Sequence, residues 1–133
     1  MNHKKHDIAS REDVQLLVHR FYDRIRNHEA LGPFFNSTVQ NWAEHLELLT
    51  NFWDSQLFLN RNYTGDPVKA HIHVDKVFGH TITMEHFGWW LEVWVATIDD
   101  LFDGERAWIA KNRARKMATM LFLKIYESRK TSS

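Results

Sequence analysis

From residue 14 to residue 25 the apolar positions are Val14, Leu17, Val18, Phe21, Tyr22 and Ile25. Steps of three, one, three, one and three trace one face of an α-helix. Ser10 suits the cap of that helix, and Glu12 and Asp13 fall in its first turn, where acidic groups favour the helix dipole. Leu31-Gly32-Pro33 ends the segment, and Phe34-Phe35 reads as a short turn tucked under the core. A second long helix starts between about Thr38 and Asn41 and runs to about Asn60. Trp42, His45, Leu49 and Phe52 share one of its faces; Leu46, Trp53 and Leu57 line a neighbouring one. Two stripes predict packing on more than one side.

Arg61 to Gly65 reads as a loop leading into Asp66-Pro67. That pair predicts a short helix, since Asp66 caps the first amides and Pro67 lacks an N–H that would go unpaired there. Val68, Ala70 and His71 fall in its opening turns. His73 to Thr83 has no clean period and predicts an irregular connection. Thr83 then caps a third long helix, with Glu85 in its first turn and Phe87, Trp90, Leu91, Trp94, Ile98, Leu101 and Phe102 at helical spacing. Asp103-Gly104 breaks it. A last helix from about Glu105 to Tyr126 places Ala107, Ala110, Ala114, Met117, Leu121 and Ile125 on one face, small enough in its first half to let another helix approach closely. No strand alternation, repeat or linker occurs. The pattern predicts one all-α domain over residues 1–133, with 1–9 and 128–133 as flexible termini.

Composition narrows the function. Seventeen basic residues balance seventeen acidic ones, so no net field favours nucleic acid or an anionic membrane. With no cysteine, disulfides, thiolate metal sites and cysteine nucleophiles are excluded, and a reducing cytoplasm suits the chain. No stretch approaches the roughly twenty apolar residues of a membrane span, and the polar start predicts no signal peptide. Six Trp, nine Phe and three Tyr in 133 residues predict a bulky, flat-sided interior that either fills itself or lines a pocket for a flat ligand.

Phosphate loops, His-Glu-x-x-His helices and nucleophile elbows are absent. Arg113, Arg115 and Lys116 form a basic patch that reads as a solvated helix face. His71, His73, His80 and His86 could be read as a zinc or copper site, but on a helix His71 and His73 point apart. Tyr22, His45, His71 and Trp90 bring one polar-tipped ring from each of four helices. Each alone reads equally as a core ring with its polar atom satisfied locally. Together, on otherwise apolar helices, they form the pattern of a small-molecule or cofactor site.

The order Phe21-Tyr22, Leu31-Gly32-Pro33-Phe34-Phe35-Asn36, Trp42…His45-Leu46, Asn51-Phe52-Trp53, Tyr63-x-Gly65-x-Pro67-x-x-x-His71 and His86-Phe87-x-x-Trp90-Leu91 resembles the truncated haemoglobins of the third group. The likeness runs from about Val14 to Tyr126. It implies a shortened globin fold, a two-over-two helical sandwich enclosing haem b. It further implies His71 as the proximal iron ligand, Tyr22 and Trp90 as donors to the distal ligand, and His45 and Leu49 as distal pocket residues. Phe35, Phe52, Trp53, Tyr63 and Phe87 complete the implied haem contacts. The expected function is binding of dioxygen, nitric oxide or carbon monoxide at a five-coordinate iron. A haem enzyme for nitric oxide dioxygenation or peroxide reduction, served by a reductase, is one alternative; a cofactor-free helical interaction module is the other.

Overall fold

The computed structural model describes residues 4–130, and every regular element among them is a helix. Helix α1 (Arg11–Arg26) is capped by Ser10, whose hydroxyl accepts the Asp13 N–H, and it buries Val14, Leu17, Val18, Phe21, Tyr22 and Ile25. That is the periodic face read from the sequence. Helix α3 (Trp42–Phe58) is capped by Asn41 through the Glu44 N–H and ends at Leu59. Helix α5 (Met84–Leu101) follows Thr83, and α6 (Glu105–Lys130) follows the break at Gly104.

The pairs α1–α3 and α5–α6 lie across one another through contacts of α1 with α5 and α3 with α6. This is the two-over-two arrangement that the resemblance implies. Aromatic stacking forms its centre: Trp53 and Trp94 stack at 4.5 Å between ring centroids, and Trp90 lies parallel to Trp94 at 6.0 Å. The Trp94 indole N–H donates to the Ala110 carbonyl at 3.2 Å, so its polar edge is satisfied inside the core. Ala107, Ala110, Ala114 and Ala118 are all buried on α6, where small side chains let the neighbouring helices come close.

Three expectations are corrected. Phe34-Phe35 belongs to a helix, α2 (Gly32–Thr38), because Pro33 stands in the first turn, where its missing N–H goes unused. The stretch after His71 is not irregular either: α4 runs from Pro67 to Val77, and only the turn at residues 78–83 lacks regular structure. Its helical period is hard to see because Asp75, a charged residue, occupies the buried position. The chain ends also differ where they are described. Ile8 is fully buried, Asp7 hydrogen-bonds the start of α6, and residues 128–130 continue α6, with Arg129 paired to Asp75. Residues 1–3 and 131–133, also expected to be flexible, lie outside the described residues. No described helix is long and apolar enough to cross a membrane.

Candidate functional site

A cavity of about 620 Å³ opens between the helix pairs, within the range of small-molecule and cofactor sites. Tyr22, Phe35, His45, Leu49, Phe52, Trp53, Tyr63, His71, Phe87 and Trp90, the residues singled out from the sequence, all line it. The helix geometry explains the convergence. Tyr22 lies on the buried face of α1 one turn before Ile25, His45 and Leu49 lie one turn apart on α3, and Trp90 sits one turn before the core Trp94 on α5. His71 follows Pro67 by one turn on α4.

Each polar ring is held by packing and leaves its polar tip unspent. Tyr22 meets Phe21, Phe35, Trp42 and His45 edge-on or tilted, with centroids between 4.9 and 5.9 Å. Trp90 packs between Phe21 and Trp94. Among the described residues no hydrogen-bond partner serves the Tyr22 hydroxyl or the Trp90 indole N–H. His45 Nε2 is buried with none. An unpartnered buried polar atom is costly, so His45 Nε2, buried beside the cavity with no partner, is a feature that calls for a ligand.

His71 differs in having one nitrogen committed. Its Nδ1 lies 2.6 Å from the Pro67 carbonyl oxygen, which can only accept, so the proton resides on Nδ1 and Nε2 keeps a bare lone pair. Burial holds the imidazole below its ordinary pKa, against the opposing pull of that carbonyl bond. His45 is also held low, by burial first and by the nearby His71 second. Both rings are therefore neutral at neutral pH. Burial pushes the Tyr22 phenol above its ordinary value, so it remains a donor.

His86 presents the opposite tautomer: its Nδ1 accepts the Thr83 N–H at 2.9 Å. His73 stands exposed beside the cavity, and His80 sits in the turn after α4, where its N–H donates to the Asp75 carbonyl at 2.7 Å. No group of three or more His, Asp or Glu residues that could hold a bare metal ion occurs among the described residues. His71, His73, His80 and His86 form no such group, in keeping with the helical spacing that sets His71 and His73 apart.

Sequence reasoning missed two parts of the lining. One is the α2–α3 corner, including Thr38, Glu44 and Leu48; the other is the middle of α6, with Met117, Ala118 and Leu121. Met117 and Leu121 lie on a face predicted to be core. An apolar face has the same period whether it meets a helix or a ligand, so no local signal separates the two.

No protein-family model matches the chain. A curated group 3 truncated hemoglobin from Campylobacter jejuni is 26% identical over 119 residues, which cover 86% of this chain and 90% of that one. The crystal structure of a group III truncated hemoglobin from Campylobacter jejuni matches with a TM-score of 0.82 at 25% identity, covering 94% of this chain and 98% of the other. In sequence and in fold alike, the chain is similar to a group 3 truncated hemoglobin.

Proposed function

We propose that the cavity holds haem b and that the chain binds dioxygen, and with it nitric oxide or carbon monoxide, between the haem and the face formed by Tyr22, His45 and Trp90. One observation carries the reading: four polar-tipped rings from four helices line one apolar, aromatic-walled cavity, where His45 Nε2 is buried without a partner. The residues fit the group. When bound, haem supplies an iron that takes a neutral imidazole at its fifth position and leaves the sixth open to a diatomic gas.

His71 is the proximal ligand in this reading. The Pro67 carbonyl fixes its tautomer and directs its free Nε2 away from the backbone of its own helix. Tyr22 and Trp90 donate hydrogen bonds to a polar acceptor on the distal side, favouring dioxygen over the less polar carbon monoxide. Leu49, Phe52, Trp53, Phe35 and Phe87 exclude water along the walls, and Tyr63 stands against Phe52 at 5.0 Å. The absence of cysteine is compatible with work in a reducing cytoplasm.

His45 favours one second reading. Its neutral ring lies 5.3 Å from that of Tyr22, and a buried imidazole there can hold or move a proton, as nitric oxide or peroxide turnover with a reductase would need.

Haemin titration into the purified chain tests the first reading. A sharp visible band saturating at one haemin per chain is the expected result; a chain that stays colourless overturns it. His71→Ala should lose the haem or hold it only with added imidazole, and an unaltered ferrous spectrum would move the ligand elsewhere. Dioxygen release measured beside nitric oxide consumption in the same preparation separates carrier from enzyme.

A further inference from the structure

Helix α4, which carries His71, is anchored through a buried charge. It packs extensively only on α6, and Asp75 is its one fully buried residue. The Asp75 carboxylate accepts the Arg129 guanidinium as a fork, from Nη2 to Oδ1 at 2.7 Å and from Nε to Oδ2 at 3.0 Å. The Ile82 N–H adds a third bond to Oδ1 at 3.2 Å, and Arg129 Nη2 also donates to the Ile82 carbonyl at 2.5 Å. One guanidinium thus ties the last turn of α6, the turn after α4 and α4 itself together.

Asp75 lies one helical turn beyond His71, and residues four apart share a helix face. Any roll of α4 that frees Asp75 therefore carries His71 with it. A buried ion pair adds little net stability compared with apolar residues of the same volume, but its bidentate geometry is directional. Val68, Ile72 and Val74 are only partly buried against the neighbouring core and offer α4 no comparable directional hold.

We propose that Arg129, acting through Asp75, is a positioning residue that sets the roll of α4 and so the aim of His71 Nε2 into the cavity. The inference rests on the haem reading above. It assigns a functional task to the last turn of the chain's final described helix, 58 residues from the histidine it directs.

The test compares Arg129→Gln and Arg129→Lys with Arg24→Gln. The last breaks a different fork, in which Arg24 donates to Asp100 at 2.6 Å and to Thr97 at 3.0 Å, remote from α4. Three quantities are measured on the haemin-loaded full chain: haemin transfer to an excess of an apo-acceptor protein, the iron–histidine stretching band of the ferrous form, and the unfolding temperature. Arg129→Gln should speed haemin transfer, by less than the roughly 10–100-fold that loss of a partner bonded directly to the ligand costs, and should shift or broaden the band. Arg129→Lys keeps the charge but not the fork and should fall between. Arg24→Gln should lower the unfolding temperature while leaving band and transfer rate as in the parent.

An unshifted band with unchanged transfer in the Arg129 variants overturns the inference, as does an equal change in Arg24→Gln. Should Arg129→Gln fail to fold, Arg129→Lys decides by the same criteria. A parent chain that takes up no haemin overturns the haem reading and this inference with it. A parent that binds haemin and is indifferent to Arg129 overturns the inference alone.

Discussion

The Tyr22 hydroxyl sits on a helix face whose other members, Val14, Leu17, Val18, Phe21 and Ile25, are given over to packing. A phenylalanine would fill the same space, so the oxygen is the part of Tyr22 that packing does not require. Tyr22→Phe should leave stability within about 1 kcal/mol and quicken dioxygen release on the order of tenfold, the equivalent of about 1.4 kcal/mol for one lost hydrogen bond. Stopped-flow release rates check this, and a flat rate removes Tyr22 from the ligand's partners. Gly65 has its own residue-scale reason. A Cβ there would lie 2.6 Å from Tyr63 Cζ and closer still to the hydroxyl, so the missing side chain is what lets the Tyr63 ring fold back beside the cavity. Gly65→Ala should force that ring aside, costing about 1–3 kcal/mol in urea unfolding and weakening haemin binding. The Tyr63-x-Gly65 spacing was legible in the sequence; its cause, a contact between residues two apart, was not.

At the scale of elements, α1, α3 and α5 were legible because their caps and apolar periods agree. The start of α6 has a cap that no local pattern reveals. Asp7, far away in sequence, accepts the Arg106 N–H through Oδ2 and the Ala107 N–H through Oδ1, both at 2.9 Å. Gly104 makes this possible: its φ is +151°, and a Cβ there would come within 2.5 Å of Asp7 Cβ. Asp7→Ala should therefore cost about 1–2 kcal/mol at neutral pH, as for other lost N-caps. Burial alone would raise the Asp7 carboxyl, but the amides of Arg106, Ala107 and Ile8 and the Arg106 charge outweigh it and hold the folded-state pKa below 3.8. A depressed folded pKa gives stability that is complete above the unfolded value and is lost as pH falls through the folded one. The difference between parent and Asp7→Ala should accordingly shrink below about pH 4, in urea titrations run at stepped pH. Asp75 follows the same sign: burial raises it, and Arg129, the Ile82 N–H and His80 bring it lower still.

For the whole molecule, the cavity leaves Tyr22, His45, His71 and Trp90 with polar atoms that the folded chain does not satisfy by itself. Haemin should thus bind the folded state selectively and raise the unfolding temperature in proportion to the logarithm of its concentration; at a hundredfold excess over Kd the gain is about 2.7 kcal/mol. Differential scanning calorimetry with and without haemin checks this, and coincident transitions would deny the folded chain any preference for the ligand. The all-helical class, the placement of the three best-patterned helices and the set Tyr22, His45, His71 and Trp90 were legible in the sequence itself, while Phe35, Leu49, Phe52, Trp53, Tyr63 and Phe87 came with the family resemblance. Apolar period, caps and the order of short motifs are local properties that survive in one dimension. Tertiary structure alone decided that α2 is a helix, that α4 continues past His71 and that the ends at residues 4–9 and 128–130 are packed. It also decided that Met117, Ala118 and Leu121 line a cavity as well as packing in the core. Apart from α2, these depend on a partner distant in sequence: Asp7 on the α6 amides, Asp75 on Arg129, and the middle of α6 on the gap between crossed helix pairs. A contact across such distances leaves no periodic trace in the residues that make it.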